Sequence, residues 1–489
     1  MTALQKISLL LSVILPLSAF AQSPDWEAPL RASLEVMADT LTKTVKPWPV
    51  PDRVFRVAEF GAVGDGATVN TTAIQKAIDA CTTAGGGVVL VEKGDYVTGT
   101  LVLKNGVMLE VAKGAQLLGS TNLADYPDHV PARLTVMDTW MKMKQSLIYA
   151  ENCERIGIRG AGVIDGRGTQ QNFPGKATIA ETPGRPFMIR ILDSRKVVID
   201  GITLRNPACW TENYLGCDDL IIQGIHVESQ VNGNNDGIDI DSCRNVIVRD
   251  SLINSEDDGL CFKGAGLRTM ENVLVENCKI YSTCNAIKFG TDSQGGFRNV
   301  LIRNVEIGGV PANMAAYRRT RSISGISWGA VDGGTVENIL VSNVKIDRAN
   351  APFCVRLGDR GRVKPDMAKP APGSIRRLVF EHITGGDNGS FGSLISGIPS
   401  ALVQDVMFRD VTLTVGGGGT EQDATRNVPE LINAYPDAFS FGKTVPAYGF
   451  WIRHAAGITF DRVTITPQKP DARPCFVAGL DTAEIVIPR

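Results

Sequence analysis

The chain has 489 residues, 43% of them hydrophobic, and its 50 basic and 52 acidic residues leave a formal net charge of -2 at pH 7. A general nucleic-acid-binding protein would carry a basic excess, so this balance argues against that class. Ten cysteines without a CxxC or Cys/His cluster are too sparse for a disulfide scaffold and give no zinc-binding pattern, so no metal or other cofactor is predicted.

The first predicted element is an export leader at residues 1–21. Lys6 precedes an apolar stretch that ends at Leu17, and the following Ala-Phe-Ala has the small-x-small pattern of a cleavage site. The apolar stretch is too short to span a bilayer, and no later one approaches the ~20 apolar residues that a membrane helix needs. We expect an exported protein, periplasmic or extracellular, with an N-terminal extension at 22–53 and no membrane contact.

A short helix is predicted ahead of the repeated part of the chain. Asn70 can cap it, and Ile74, Ile78 and Cys81 follow at helical spacing. Such a helix can cover the open end of a repeat fold, which would otherwise expose core and unpaired strand edges. The Gly-rich segments on either side match neither a dinucleotide-binding nor a phosphate-binding loop and are interpreted as turns.

The central part of the sequence repeats. Each copy has a polar step, a short alternating β-branched run, a turn and a second short run, and clear copies begin at 194, 217, 243, 270 and 297. Successive starts are therefore 23 to 27 residues apart, which suits one turn of a solenoid of short strands. We predict an all-β fold, a single-stranded right-handed parallel β-helix over 54–489, as the catalytic domain. The main rival, a β-propeller, has longer repeats.

Two acidic clusters interrupt the repeat where the central strands should meet their turns. NGNNDGIDIDS contains Asp236, and INSEDDGLCFKG contains Asp257 and Asp258. Asp236 and Asp257 are 21 residues apart, close to one turn, so we expect them side by side on adjacent rungs. Asn285 and Lys288 should follow the same surface on the next rung. Close carboxylates can divide into one protonated and one ionised group, which glycoside hydrolysis requires.

At this point the sequence resembles glycoside hydrolase family 28, the polygalacturonase family of the pectate-lyase-type β-helix superfamily. The similarity runs through RPFMIRILDS, NNDGIDIDS and INSEDDGLCFKG, and EFGAVGDG resembles the N-terminal cap of that superfamily. The family's Asn-Thr-Asp corresponds to Asn234-Asn235-Asp236. Its paired aspartates correspond to Asp257 and Asp258, and its lysine to Lys263.

The resemblance implies an inverting hydrolase that cleaves α-linked galacturonate bonds in pectic polysaccharides or oligosaccharides. Asp257 would be the general acid, while Asp236 and Asp258 would activate the water. The family's Gly-His-Gly falls on Cys284-Asn285-Ala286, so Asn285 replaces its histidine. Its Arg-Ile-Lys falls near Gly325-Ile326-Ser327, where no basic residue stands.

Several residues are candidates for substrate recognition. Those that could replace the missing charge are Lys288, Arg318, Arg319, Arg321 and Arg356. The predicted substrate-binding set is Trp210, Asn235, Lys263, Asn285, Lys288 and Arg356. For Trp210, packing on a sugar ring and packing inside the protein are equally open.

Two other functions remain open from the sequence. A polysaccharide lyase on the same fold would need a basic residue to remove the proton beside the uronate carboxylate, which the acid-rich centre disfavours. A non-catalytic carbohydrate-binding solenoid is motivated by the departures from the family pattern. The predicted partner is a pectic substrate, and we expect a monomer. Whether the enzyme cleaves within a chain (endo) or from its end (exo) depends on whether the insertions at 310–322 and 416–450 close the groove.

Overall fold

The computed structural model describes residues 24–140, 143–174, 184–316 and 319–487. Within these residues the chain winds into a parallel β-helix, as predicted, and adds short strands to three faces at each turn. Crossovers between parallel strands of one sheet are right-handed in nearly all proteins, so the β-helix winds as a right-handed coil. Arg318 and the predicted leader at 1–21 lie outside the described residues.

Three faces, sheets A, B and C, contain all the strands. Sheet A contains β1 (Val54–Arg56), β3 (Gly87–Val91), β6 (Val107–Val111), β9 (Glu154–Arg159), β12 (Arg195–Asp200), β15 (Asp218–Gln223), β18 (Arg244–Arg249), β21 (Met270–Glu276), β24 (Phe297–Gly308), β26 (Thr335–Asp347), β28 (Ser374–Asn388), β30 (Val403–Gly417), β32 (Ala455–Lys469) and β34 (Thr482–Val486). Sheet B contains β2 (Asp65–Val69), β4 (Gly94–Thr98), β7 (Ala115–Gly119), β10 (Val163–Asp165), β13 (Thr203–Arg205), β16 (His226–Ser229), β19 (Leu252–Ser255) and β22 (Lys279–Ser282). Sheet C contains β5 (Leu101–Val102), β8 (Ser146–Glu151), β11 (Phe187–Leu192), β14 (Glu212–Leu215), β17 (Ile238–Asp241), β20 (Leu260–Lys263), β23 (Asn285–Thr291), β25 (Ser322–Ala330), β27 (Ala349–Leu357), β29 (Ser393–Ser396), β31 (Phe450–Arg453) and β33 (Phe476–Ala478). From β24 onward one long strand serves both sheets A and B.

The core is one continuous column of stacked side chains. In sheet C, Tyr214, Ile240, Phe262 and Phe289 occupy the same register on successive rungs and are fully buried. Phe289 stacks on Trp328 with ring centroids 5.2 Å apart. Alternate residues of a strand point to opposite faces. The residues next to these core positions along each strand of sheet C therefore point outward, where they can form a site.

Polar ladders hold the turns between sheets. The Asn245, Asn272, Asn299 and Asn338 side chains are linked from rung to rung by amide hydrogen bonds of 3.1–3.3 Å. Each of these residues has a φ of 55–59°, a left-handed conformation that asparagine tolerates. The ten cysteines, all within the described residues, form no disulfide, and Cys217 and Cys243 lie next to each other in the core.

The predicted capping helix is α2 (Thr71–Thr83), and Ile74, Ile78 and Cys81 are its buried positions. The N-terminal extension contains a longer helix, α1 (Glu27–Thr44), that the sequence analysis does not predict. Two further short helices are α3 (Met137–Trp140) and α4 (Glu421–Ala424).

Helix α1 runs along the outside of sheet A. Its apolar residues pack on a stripe of outward-facing side chains, one from each of nine strands: Met108, Val198, Ile221, Ile247, Leu274, Leu301, Leu340, Val379 and Met407. Arg31 of α1 pairs with Glu381 at 2.5 Å, and Glu27 pairs with Arg409 at 3.0 Å. Among the described helices, none is long and apolar enough to cross a membrane.

Candidate active site

The acidic turns lie between sheets B and C and are held by a ladder of buried serines. Ser229, Ser255 and Ser282 end three successive strands of sheet B in one register. The Ser229 hydroxyl donates to the Asn235 carbonyl at 3.0 Å. The Ser255 and Ser282 hydroxyls both donate to the Asp257 carbonyl, at 2.7 and 2.6 Å. These bonds fix the backbone from which the candidate catalytic side chains project.

The register of sheet C differs from the predicted one by a single residue. Ile238 pairs with Leu260, so Asp258 rather than Asp257 lies opposite Asp236. The Gly237 amide donates to the Asp258 carbonyl at 2.9 Å, which places the two turns side by side. The physical reason is the rung length here, which is 22 residues (260 minus 238) rather than 21.

Glycine follows both turns because no side chain fits there. A Cβ at Gly237 would lie 2.4 Å from the Gly259 carbonyl oxygen, and one at Gly259 would lie 2.6 Å from the Ala286 carbonyl oxygen. Such separations are shorter than real Cβ contacts, so a larger residue would force adjacent rungs apart. The Asp-Gly pairs therefore let the acidic turns stack closely.

Asp258 is the charged member of the acidic group. Its Oδ2 lies 2.7 Å from Lys288 Nζ, and its Oδ1 accepts a hydrogen bond from Asn285 at 2.8 Å. All three side chains are almost fully buried. Burial alone would raise the pKa of Asp258, but Lys288, with Lys263 and Asn285 assisting, lowers it below its usual value.

The other two carboxyl groups, those of Asp257 and Asp236, have raised pKa values. Burial first, and then the neighbouring Asp258 charge, raises the pKa of Asp257. Asp257 is half-buried, and Asn234 donates to its Oδ2 at 3.4 Å. Burial, with the charges of Asp257 and Asp239, raises the pKa of Asp236 well above its usual value. The site therefore combines one ionised carboxylate with two carboxyl groups that favour holding a proton.

Lys263 lies beneath this group and is paired within the protein. Its Nζ is 3.1 Å from Asp239 Oδ1 and 4.5 Å from the centre of the Trp210 ring. Trp210 is 2% exposed and packs edge-to-face on Phe187. Of the two roles open for Trp210, these contacts favour internal packing, where the ring supports the lysine.

Two other predicted substrate-binding residues are committed to internal contacts. Asn235 is fully buried; its oxygen accepts from the Val231 and Asn232 amides, and its nitrogen donates to the carbonyls of Pro207 and Cys209. Arg356 is 1% exposed and donates to Ser396 and to the carbonyls of Glu430 and Leu431. Both side chains thus use their hydrogen-bonding groups to hold loops of the protein.

The remaining candidates for the missing charge lie elsewhere. Arg321 pairs with Asp387 at 2.5 Å, and Arg319 is exposed. Lys288 is thus the one basic candidate, among those the structure describes, that contacts the acidic group.

Three residues of this site were not predicted from the sequence. Arg185, buried and in a loop before β11, donates to Asn234 Oδ1 at 2.8 Å and to the Gly233 carbonyl. Tyr435 and Asp437 come from the insertion at 416–450: the Tyr435 hydroxyl accepts from Lys288 at 3.0 Å, and Asp437 accepts from Asn285 at 3.4 Å. Arg185 is the first residue of the RPFMIRILDS stretch that resembles the family, whereas nothing in the local sequence of Tyr435 or Asp437 points to the site.

A cation does not fit this site well. Among the described residues, Asp257, Asp258 and Cys284 place ligand atoms within 4.8 Å of one another, a spacing that could hold a metal ion. The Lys288 ammonium, however, already occupies the charge-compensating position beside Asp258. A divalent ion there would have to overcome repulsion from a buried positive charge.

Close carboxyl groups of unlike pKa on a β-helix are the arrangement that a glycosidase requires, and comparisons with known proteins specify the class and the family. The profile described as glycosyl hydrolases family 28 matches residues 81–434, more than half of the chain. The chain therefore belongs to glycosyl hydrolase family 28.

Named relatives agree with this family, and solved structures share the fold. A probable polygalacturonase of Vitis vinifera is 27% identical over 375 residues, which cover 73% of each chain. An exo-poly-alpha-D-galacturonosidase of Dickeya chrysanthemi is 28% identical over 319 residues, covering 54% of this chain and 52% of the relative. An exopolygalacturonase structure from Thermotoga maritima has a TM-score of 0.66 at 18% identity, covering 88% of this chain and 96% of that one. A family 28 exopolygalacturonase from Yersinia enterocolitica has the same TM-score at 20% identity, with coverages of 90% and 79%.

Proposed function

We propose that this glycosidase hydrolyses α-linked galacturonate bonds in pectic polysaccharides or oligosaccharides by inverting acid/base catalysis. The observation that carries the proposal is the ion pair between Asp258 and Lys288 beside Asp257, whose pKa is raised. One carboxylate is thereby held ionised next to a carboxyl group that can keep its proton. The polygalacturonase relatives supply the substrate class.

In the proposed mechanism, Asp257 protonates the oxygen of the leaving sugar. Its carboxyl is the one of the three that remains half-buried rather than buried, so it can reach a bound glycosidic oxygen. Asp258, ionised by Lys288, accepts a proton from the attacking water. Asp236 adjoins both, but its raised pKa in the free protein makes Asp258 the stronger candidate for the base, with Asp236 orienting the water.

The same contacts disfavour the lyase alternative. An eliminating enzyme needs an unprotonated base near the substrate carboxylate. Although burial works against its charge, the neighbouring Asp258 and Tyr435 raise the pKa of Lys288 well above its usual value. Lys263 is likewise paired with Asp239, so neither lysine of the site is available as a base.

Replacing the proposed acid tests the function. Asp257→Asn should lower kcat on polygalacturonate by about 100- to 10,000-fold, because the leaving oxygen loses its proton donor. Reducing-end release measures hydrolysis, and absorbance of unsaturated uronate in the same samples detects elimination. Retained hydrolysis in Asp257→Asn, or unsaturated products from the unaltered protein, would refute the proposal.

Asp250→Asn is the matched control for this substitution. Asp250 lies at an exposed turn of the neighbouring rung, where it accepts a hydrogen bond from Asn277 at 3.2 Å. The same chemical change there should leave hydrolysis unaltered.

Export through a leader at 1–21 and a monomeric state remain predictions from the sequence, which signal-peptide mapping and sedimentation can test.

A further inference from the structure

The insertion at 416–450 covers part of the outer face of sheet C. Its apolar side chains form one cluster with outward-facing residues of strands β27, β29 and β31. The members from the insertion are Val428, Ala438, Phe441, Val445 and Ala447. The members from the sheet are Cys354, Leu394 and Trp451. The outer face of these three strands is therefore filled by the protein's own chain.

Two buried arginines fasten the same insertion. Arg356 donates to the carbonyls of Glu430 and Leu431, each at 2.9 Å, and to Ser396 at 2.9 Å. Arg453 donates to the carbonyls of Val428 and Pro429 at 2.9 and 2.8 Å. Since both guanidinium groups are almost fully buried, the insertion has a fixed position on the sheet.

The tip of the insertion reaches the acidic group. A Cβ on Gly329 of β25 would lie 2.7 Å from the Pro436 ring, so this glycine lets the tip lie flat on the strand. On either side of Pro436, Tyr435 accepts from Lys288 and Asp437 accepts from Asn285. The tip thus lies beyond Lys288, on the strand where the family's Arg-Ile-Lys would fall and this chain has no basic residue.

We propose that this tip ends the substrate groove, and that Asp437 and Tyr435 bind the terminal sugar of a galacturonan chain, so that the enzyme cleaves from a chain end. The inference rests on the proposed function. A polymer lying along sheet C would have to pass through Pro436 and the apolar cluster behind it. Binding of a chain end requires no such passage.

The chemistry of the tip suits a terminal sugar. The end unit has a free hydroxyl where an internal unit forms a glycosidic bond, and a carboxylate is a strong acceptor for such a hydroxyl. Tyr435 can donate or accept beside it, and 47% of this residue is exposed, so it is accessible. A carboxylate at this position also disfavours a second uronate beyond the end, since like charges repel.

The test compares early digestion products of polygalacturonate. The unaltered protein should release one short product of fixed length from the start, with no intermediate lengths. Asp437→Asn should reduce kcat/KM about 10- to 100-fold, mostly through KM, because a charged acceptor for the terminal hydroxyl is lost. Tyr435→Ala removes part of the tip that ends the groove and should allow products of intermediate length to accumulate.

Glu421→Gln is the matched control, the same change on an exposed residue of the insertion, and should alter neither rate nor product length. Intermediate lengths from the unaltered protein would overturn this inference and leave the proposed function standing. An unchanged kcat/KM in Asp437→Asn would overturn the role of Asp437. Absence of hydrolysis by the unaltered protein would overturn the proposed function and this inference together.

Discussion

Lys288 determines which carboxyl group of the site is ionised. Its 2.7 Å ion pair lowers the pKa of Asp258, while Asp257 beside it has a raised pKa. A base must be ionised, so the acid-side limb of the pH-rate profile should follow the pKa of Asp258.

Lys288→Met should therefore raise the pKa of Asp258 and move the acid limb of the kcat/KM profile upward by about one to three pH units. Activity at low pH would fall more than activity at neutral pH. Lys345→Met, which removes an exposed lysine paired with Asp347, serves as the control. An acid limb that does not move in Lys288→Met would show that Asp258 is not the base.

A second titrating pair lies inside the β-helix. Glu212 points into the core, where Tyr214 donates to it, and burial raises its pKa to about 8. An unfolded glutamate has a pKa of about 4.3, so between these values only the folded state keeps the proton. Stability must then fall as pH rises through that window and level off above it.

Glu212→Gln should remove this dependence. Between pH 5 and pH 8 the glutamate costs about 1.4 kcal/mol per pH unit, so the variant should gain a few kcal/mol relative to the unaltered protein at pH 8. Urea unfolding at both pH values measures the difference, and Glu228→Gln on the exposed outer face is the control. An equal gain at pH 5 and pH 8 would contradict the assigned protonation.

At the scale of residues, the positions of the acidic side chains could be predicted from the sequence better than the contacts that support them. Asp236, Asp257 and Asp258 stand in a recognisable motif, so their proximity was predictable. Burial of Asn235 and Trp210 depends on what other rungs place over them, which a motif does not contain. Asp437 comes from a loop 152 positions after Asn285, and only the folded chain brings the two together.

At the scale of elements, α1 shows how tertiary packing creates a helix that the sequence analysis did not predict. Its buried Leu34 lies on the apolar stripe of sheet A, whereas Val36, on the same helix, is 65% exposed. The stripe exists because one residue in each rung of sheet A points outward and is apolar. The helix is therefore stabilised by a surface formed from nine separate segments.

Leu34→Asp should release α1 from the β-helix. Loss of this buried contact should weaken docking by at least about 2 kcal/mol, so cleavage within 27–44 by a protease should become more than tenfold faster. The rest of the chain should remain resistant and active, because α1 lies on sheet A and the acidic group on sheet C. Val36→Asp is the matched control. Equal cleavage of the two variants would show that Leu34 does not anchor the helix.

For the whole molecule, the repeat period was sufficient to predict the fold. The strands of sheets A and B recur along the chain at a nearly constant interval. The alternation of apolar and polar residues within each strand indicates which side of the strand faces the core. The strand register was less predictable because the rungs differ in length by a few residues. A difference of one residue places Asp258, rather than Asp257, opposite Asp236. Insertions interrupt the period, so their positions on the surface could not be derived from it.

Helix α1 also has a consequence for the order of events when the chain is made. Glu27 binds Arg409, which is 382 positions later, so a helix near the start of the described residues binds a surface that is completed only when a strand far along the chain is in place. An incomplete chain leaves both the helix and its apolar stripe exposed to proteases and chaperones. Once β30 is in place, docking of α1 buries the helix face and the apolar stripe together.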